Sequence, residues 1–155
     1  MNKPNNISAT DIAQISTYQS GVTQATAHRV INRVVSDYLL SYDLTAMQWF
    51  IIGYIFDAGS EGFTISDLAH LIGTTLPYTT NTINLLESKG IVKKTTQKKD
   101  SRIKIVTIQP KSFEMVEEIE NGLRDELRRV LYERNNISRD ELQAYIRVLY
   151  KIIGA

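Results

Sequence analysis

From Thr10 towards Leu40, apolar residues recur at mostly three- and four-residue steps: Ile12, Ile15, Val22, Ala25, Val30, Ile31, Val34, Val35, Tyr38 and Leu39. That period puts them on one side of a long helix. Gly21 weakens its middle and marks a bend. Thr45 and Gln48 then fit a capping box, in which hydroxyl and amide satisfy free backbone N–H groups reciprocally. Trp49, Ile52, Tyr54, Ile55 and Phe56 follow, and Gly59 ends this second helix. Thr64 and Asp67 give an acidic variant of the same start signal. They open a short helix with Leu68, Ala69, Leu71 and Ile72 inward and Gly73 as its stop.

The stretch TTLPYTTNTINLLESKG, residues 74–90, reads as a fourth helix. Thr75 is its N-cap, Pro77 is tolerated in the first turn, and Gly90 follows its end. Two short helices across so tight a turn form a helix-turn-helix. Ile91 to Thr95 and Ile103 to Ile108 then read as β-strands joined by the polar loop TQKKDSR. In the second strand Ile103, Ile105 and Thr107 share one face, and Lys104, Val106 and Ile108 the other. A helix-turn-helix followed by a hairpin is a winged helix. Pro110 ends the hairpin, and Phe113, Val116, Ile119, Leu123, Leu127, Val130 and Leu131 trace a long amphipathic helix to about Arg134. Ser138 and Glu141 form a third capping box, opening a last helix that carries Leu142, Tyr145, Ile146, Leu149, Tyr150 and Ile153 before Gly154.

The expected fold class is mainly α with a small β wing. Residues 1–9, rich in Asn, make a flexible N-terminus, residues 43–110 the winged helix-turn-helix, and residues 10–42 and 111–155 flanking helices. The flanking helices are apolar along one side and distant in sequence from the winged core. They could fold back on that core. Intertwining with a second copy also explains why they exist, with Ile12, Ile15, Leu142, Tyr145, Ile146, Leu149 and Tyr150 in the dimer contact.

Bulk properties narrow the classes. The 155 residues suit about one domain. Absence of cysteine excludes disulfides and thiolate metal sites. The polar N-terminal stretch MNKPNNISATD and the lack of any long apolar run point to a cytoplasmic protein with no membrane partner. Net charge is only +1, but its distribution is uneven. Residues 61–111 hold eight cations against four acids, whereas residues 1–60 hold three against four and residues 112–155 seven against nine. A basic patch is what a polyanion-binding protein presents, and a lysine-rich solvated face looks the same by charge alone.

On a helical wheel of residues 74–90, Leu76, Thr79, Ile83 and Leu86 fall towards the core, with Pro77, Tyr78, Asn81, Asn84, Leu85 and Ser88 opposite. The outer face has hydroxyls, amides and an aromatic ring but no cation before Lys89. Asn pairs with adenine N6 and N7, and Tyr and Thr with phosphates or thymine methyls, which suits a helix in a major groove. Beside it, Asp100 and Arg102 are spaced to form a salt bridge in a tight hairpin. That pair would orient the guanidinium for a narrow A·T minor groove. Lys98, Lys99 and Lys104 would meet phosphates, so binding should weaken steeply with salt.

The stretches LTAMQWFIIGYI (44–55), TISDLAHLIGTTLPYTTNTINLLESKGIVKK (64–94) and KKDSRIKIVTI (98–108) together resemble the MarR family of bacterial transcription regulators. The flanking helices match in layout rather than in motif. The resemblance implies a homodimer joined by its terminal helices and bound to double-stranded DNA at a pseudo-palindromic operator. It implies a reading surface from Thr75 through Pro77, Tyr78, Thr80 and Asn81 to Asn84, with Asp100 and Arg102 as the wing pair. Many members also release DNA on binding a small, often aromatic or anionic, effector. His28 on the first helix and Trp49 are the residues that could line such a pocket. Two features depart from the family: Arg often stands where this chain has Asn81, and IQPKSF (108–113) replaces a common L-T-x-x-G after the wing.

No catalytic constellation is visible. His28 and His70 are the only histidines and have no ligand-spaced neighbours, so no metal is expected. Glu114, Glu117, Glu118 and Glu120 read as the solvated side of a helix. Phosphate loops and nucleophile elbows are missing, and no cofactor is implied. The expectation is a DNA-binding repressor. The alternative is a ligand-binding or protein-interaction module of the same fold that has lost specific DNA binding.

Overall fold

The computed structural model describes residues 14–97 and 100–154. Ile12, Lys98 and Lys99 lie outside the described residues. The first described helix, α1, spans Thr17–Leu39, and the expected helical start at Thr10 and flexible residues 1–9 lie outside the described residues. Ser16 is extended and caps it reciprocally with Gln19, a start signal that the apolar period passes over. Gly21 does not break it, and a side chain there would meet nothing within 4 Å. A 3₁₀ turn, Leu40–Tyr42, and the left-handed Asp43 lead to α2, Ala46–Asp57, with the expected Thr45–Gln48 capping box. Gly59 follows at φ +56°.

β1, Phe63–Thr64, leads into α3, Ile65–Leu71, which Thr64 caps by accepting the Asp67 N–H. The second helix of the pair, α4, spans Leu76–Ser88, with the Thr75 hydroxyl accepting the Tyr78 N–H. β2, Val92–Thr96, and β3, Lys104–Ile108, pair antiparallel from Val92↔Ile108 to Thr96↔Lys104. β1 adds to the other edge of β3, with Phe63 opposite Val106. Two residues are too few for any alternation to register, so this third strand has no sequence signal. After a 3₁₀ turn, α5 spans Phe113–Leu127 and widens into a π-helical stretch, Arg128–Glu133. The last helix, α6, is Arg139–Ile153, with the Ser138–Glu141 capping box and Gly154 at φ +77°. Among the described residues, no single helix is long and apolar enough to cross a membrane.

The core joins α2, α3, α4, the sheet, α5 and the C-terminal part of α1. Leu39, Ile51, Ile52, Ile55, Leu68, Ile83, Leu86, Val92, Val106 and Ile119 have no exposed surface. Each large side chain so buried contributes about 1.5–3 kcal/mol of hydrophobic free energy. Leu71, expected inward, is 46% exposed because it closes the last turn of α3 at the core's edge. Two tyrosines tie α1 and its 3₁₀ tail to α5. Tyr42 donates to the Glu118 carboxylate at 2.8 Å, which pushes its phenol pKa up. The Tyr38 hydroxyl occupies the space that a Cβ at Gly122 would need.

The two terminal arms leave this core. Every residue of α1 from Thr17 to Val30 is exposed except Ser20, and α6 contains no buried residue. Ile15, Tyr18, Val22 and Val30 on one arm, and Tyr145, Ile146, Val148, Leu149, Tyr150, Ile152 and Ile153 on the other, face solvent. Neither arm end folds back onto the core of its own chain.

A clamp joins α4 to β2. The Lys94 ammonium pairs with Glu87 at 2.9 Å and donates to the Asn84 side-chain oxygen at 2.7 Å. Glu87 also accepts the Lys94 backbone N–H at 3.2 Å. At the end of α4, Lys89 pairs with Asp43 at 2.8 Å and holds the turn before α2.

Two stability predictions follow from this packing. Gly62 sits at φ +60°, and a Cβ there would overlap the Val106 carbonyl oxygen of β3, whereas Gly59 at φ +56° faces open space. Gly59→Ala should cost about 1 kcal/mol of backbone strain and Gly62→Ala at least about 3, measured by urea unfolding. Equal losses would contradict the close approach at Gly62. The second concerns Glu87, whose carboxyl is held below the usual range by the hydrogen-bonded Lys94 ammonium. A lowered folded pKa stabilises fully above the ordinary value of 4.5 and loses that effect as pH falls through the folded value. Glu87→Gln should therefore be less stable than the wild type at neutral pH, with the gap closing in acid. A gap that persists unchanged through the carboxylate range would contradict it.

Candidate nucleic-acid interface

The inner face of α4 is Thr79, Thr82, Ile83 and Leu86, all buried. The two threonines bury their hydroxyls without penalty. Thr79 donates to the Thr75 carbonyl at 3.1 Å and Thr82 to the Tyr78 carbonyl at 2.9 Å. This anchoring turns Pro77, Tyr78, Asn81, Asn84, Leu85 and Ser88 outward, as the wheel predicted. Leu76 departs from the wheel and is 52% exposed. It lies in the first turn, ahead of the point where α4 meets the core at Thr79. Thr80 is half-buried, and its hydroxyl donates to the Leu76 carbonyl at 2.9 Å, leaving only acceptor capacity facing out.

The outward amides are not equivalent. Asn81 is exposed, and its side chain makes no hydrogen bond among the described residues. Asn84 is exposed too, but its oxygen accepts from Lys94. Sequence reasoning missed Lys94 and Glu87. The only signal for them was an opposite-charge pair seven residues apart across the Gly90 turn.

Beside α4, the wing ladder continues past the strands. Gln97 donates its N–H to the Ile103 carbonyl at 2.9 Å, and Ile103 donates to the Asp100 carbonyl at 3.1 Å. The expected Asp100–Arg102 salt bridge is not present among the described residues. The Asp100 carboxylate instead accepts the backbone N–H of Arg102 at 2.9 Å. An aspartate closing a turn onto the N–H two residues on is the shorter-range option, and it fixes the backbone instead of the guanidinium. Arg102 is exposed at a braced tip, and Lys104, also exposed, begins β3.

The two pocket candidates are not brought together. His28 lies on the exposed arm of α1. Trp49 is 7% exposed and packs in the core, while its edge lines a cleft of about 520 Å³ between α2 and α5. Phe56 forms another wall, and Asp57, Glu117, Glu120 and Arg124 surround it, with Arg124 already paired to Glu120. Among the described residues, no three His, Asp or Glu are grouped to hold a metal ion.

Comparison with known proteins agrees with this geometry. The family model described as MarR family matches residues 42–103, which hold the helix-turn-helix and most of the wing. No curated protein matches the chain by sequence. Among solved structures, MepR of S. aureus in complex with DNA is similar at 21% identity and TM-score 0.72, covering 90% of this chain and 98% of that one. A mutant MarR from E. coli complexed with operator DNA is similar at 22% identity and TM-score 0.73, covering 85% and 91%. AbsC, a MarR family transcriptional regulator from Streptomyces coelicolor, is similar at 17% identity and TM-score 0.74, covering 90% and 95%. The MarR family model thus falls on the segment that carries the helix-turn-helix and the wing tip, and the fold along nearly the whole chain is similar to that of MarR family regulators.

Proposed function

We propose that this protein is a sequence-specific DNA-binding repressor that acts as a homodimer on a pseudo-palindromic operator. One observation carries the reading: the polar outer face of α4 stands beside a braced basic wing tipped by Arg102. In this reading α4 enters the major groove. Pro77, Tyr78, Thr80, Asn81 and Asn84 face the bases, and Thr75 lies near a phosphate. Arg102 reaches the adjacent minor groove, Asp100 shapes the turn that presents it, and Lys98, Lys99 and Lys104 neutralise phosphates. MepR and MarR, bound to DNA in their solved structures, support this docking by their shared fold.

The arms support the dimer. An apolar stripe along α6 and the exposed half of α1 would be covered by the same surfaces of a second copy. Residues 10–42 and 111–155 would form that dimer region, and residues 43–110 the DNA reader. Two-fold symmetry would then place two α4 helices on successive major grooves. The protein works as a binder in the cytoplasm, with no catalytic step assigned to it.

Release by a small effector is the finer part of the reading. The Trp49 and Phe56 walls suit an aromatic molecule. An anion would find Arg124 alone, and that cation is already paired. The second reading is a module of this fold that no longer reads DNA. The absence of any cation on the outer face of α4 before Lys89 favours it.

Arg102→Ala separates the two. A repressor should lose about 10- to 100-fold in operator affinity, and its salt dependence should shallow by about one phosphate equivalent. Circular dichroism should be unchanged, because the Arg102 side chain makes no hydrogen bond or ion pair to another element among the described residues. Unchanged affinity would remove the wing from DNA recognition.

A further inference from the structure

Asn81 and Asn84 lie on the same outward face of α4, three residues apart, and differ in what their amides have free. Lys94 is the cause. An ammonium has donors only, so it can meet only the oxygen of the Asn84 amide, and this sets which way the amide is flipped. Lys94 is itself held at three points. Its ammonium reaches Asn84 at 2.7 Å and Glu87 at 2.9 Å, and its backbone N–H reaches Glu87 at 3.2 Å. Its side chain is only 21% exposed, and Glu87 balances its charge. Lys94 is therefore poorly placed to serve as a free phosphate-binding cation.

The chemistry of base edges turns this into specificity. Adenine presents an acceptor and a donor in the major groove, so an amide that reads it needs both its N–H₂ and its oxygen. Guanine presents two acceptors, N7 and O6, which an N–H₂ group alone can satisfy. With its oxygen turned to Lys94, Asn84 offers the groove its donors. An adenine N6 amino group would face those donors unfavourably. Asn81 keeps both halves of its amide.

We propose that Lys94 is a specificity-determining positioning residue, which makes Asn84 a guanine-reading donor while Asn81, one turn earlier, reads adenine. The two asparagines then distinguish different base pairs in each half-site, although they are chemically identical. The proposal rests on α4 being the DNA-reading helix.

The test is selection of bound duplexes from a randomised library by the full-length chain, followed by base preference at each position. The wild type should enrich a half-site with one G·C pair whose preference vanishes in Asn84→Ala. A different A·T pair should relax in Asn81→Ala. In Lys94→Met, which keeps the length and removes the charge, the G·C preference should swing towards A·T at that same position by about tenfold. The double variant Glu87→Gln/Lys94→Met should show the same swing without leaving a carboxylate unpaired, which guards against misfolding of the single variant. Uniform weakening on all sequences, with the preference unchanged in both Lys94 variants, would overturn the assignment and leave Lys94 a structural brace. Failure of the wild type to enrich any sequence would overturn the DNA-reading role of α4 itself, and the assignment with it.

Discussion

The burial of Ile83 and Leu86 decides what the rest of the molecule presents to its surroundings. Both are fully buried, and with Thr79 and Thr82 they fix the rotation of α4 about its own axis. One residue of slip would turn the helix by about 100° and carry the outward amides towards the core. Ile83 and Leu86 belong to one buried cluster drawn from across the chain, with Ile51, Ile52 and Ile55 of α2, Leu68 of α3, Val92 and Val106 of the sheet, and Ile119 of α5. The two threonines let this face be partly polar at no cost, because each hydroxyl finds a carbonyl one turn back. Recognition chemistry on one side of α4 is thus a consequence of apolar packing on the other.

The same core holds the wing at a set distance from α4. β3 is the central strand, sandwiched between β1 and β2, and its inward Val106 and Ile108 belong to the core. The outer end of the hairpin has no such support and relies on local hydrogen bonds instead, chiefly the turn that Asp100 closes. Between these two regimes, Lys94 couples strand to helix through Glu87 and Asn84. The arms follow a third rule. Their roots are tied by Tyr38 and Tyr42 to α5, while their far ends keep apolar surface in water. Such surface is costly for an isolated chain and is normally covered by a partner.

Much of the architecture was legible because it is written in local signals. The caps at Thr45, Thr64, Thr75 and Ser138 each act within three residues, and all four start helices where expected. Left-handed glycines at 59, 73, 90 and 154 end them. What sequence could not supply was tertiary. Leu71 and Leu76 look inward on a wheel, which carries no information about where the core stops. β1 exists only because β3 is there to pair with it. The Asp100 carboxylate had two partners in reach on Arg102, and spacing alone did not choose between backbone and guanidinium. Lys94 stood in the basic run as one lysine among several, and only the fold reveals that its charge is spent on Glu87 and Asn84.

The central claim is that a polar helix face and a basic wing act together to read DNA as a symmetric pair. It is tested most directly by titrating the purified protein into duplex from its own upstream region and into a shuffled control, at several salt concentrations, with stoichiometry read by sedimentation. The account predicts two chains per duplex, tight binding to one pseudo-palindromic site, a steep loss of affinity with salt, and little preference-free binding to the control. Equal, weak binding to both duplexes by a single chain would contradict it.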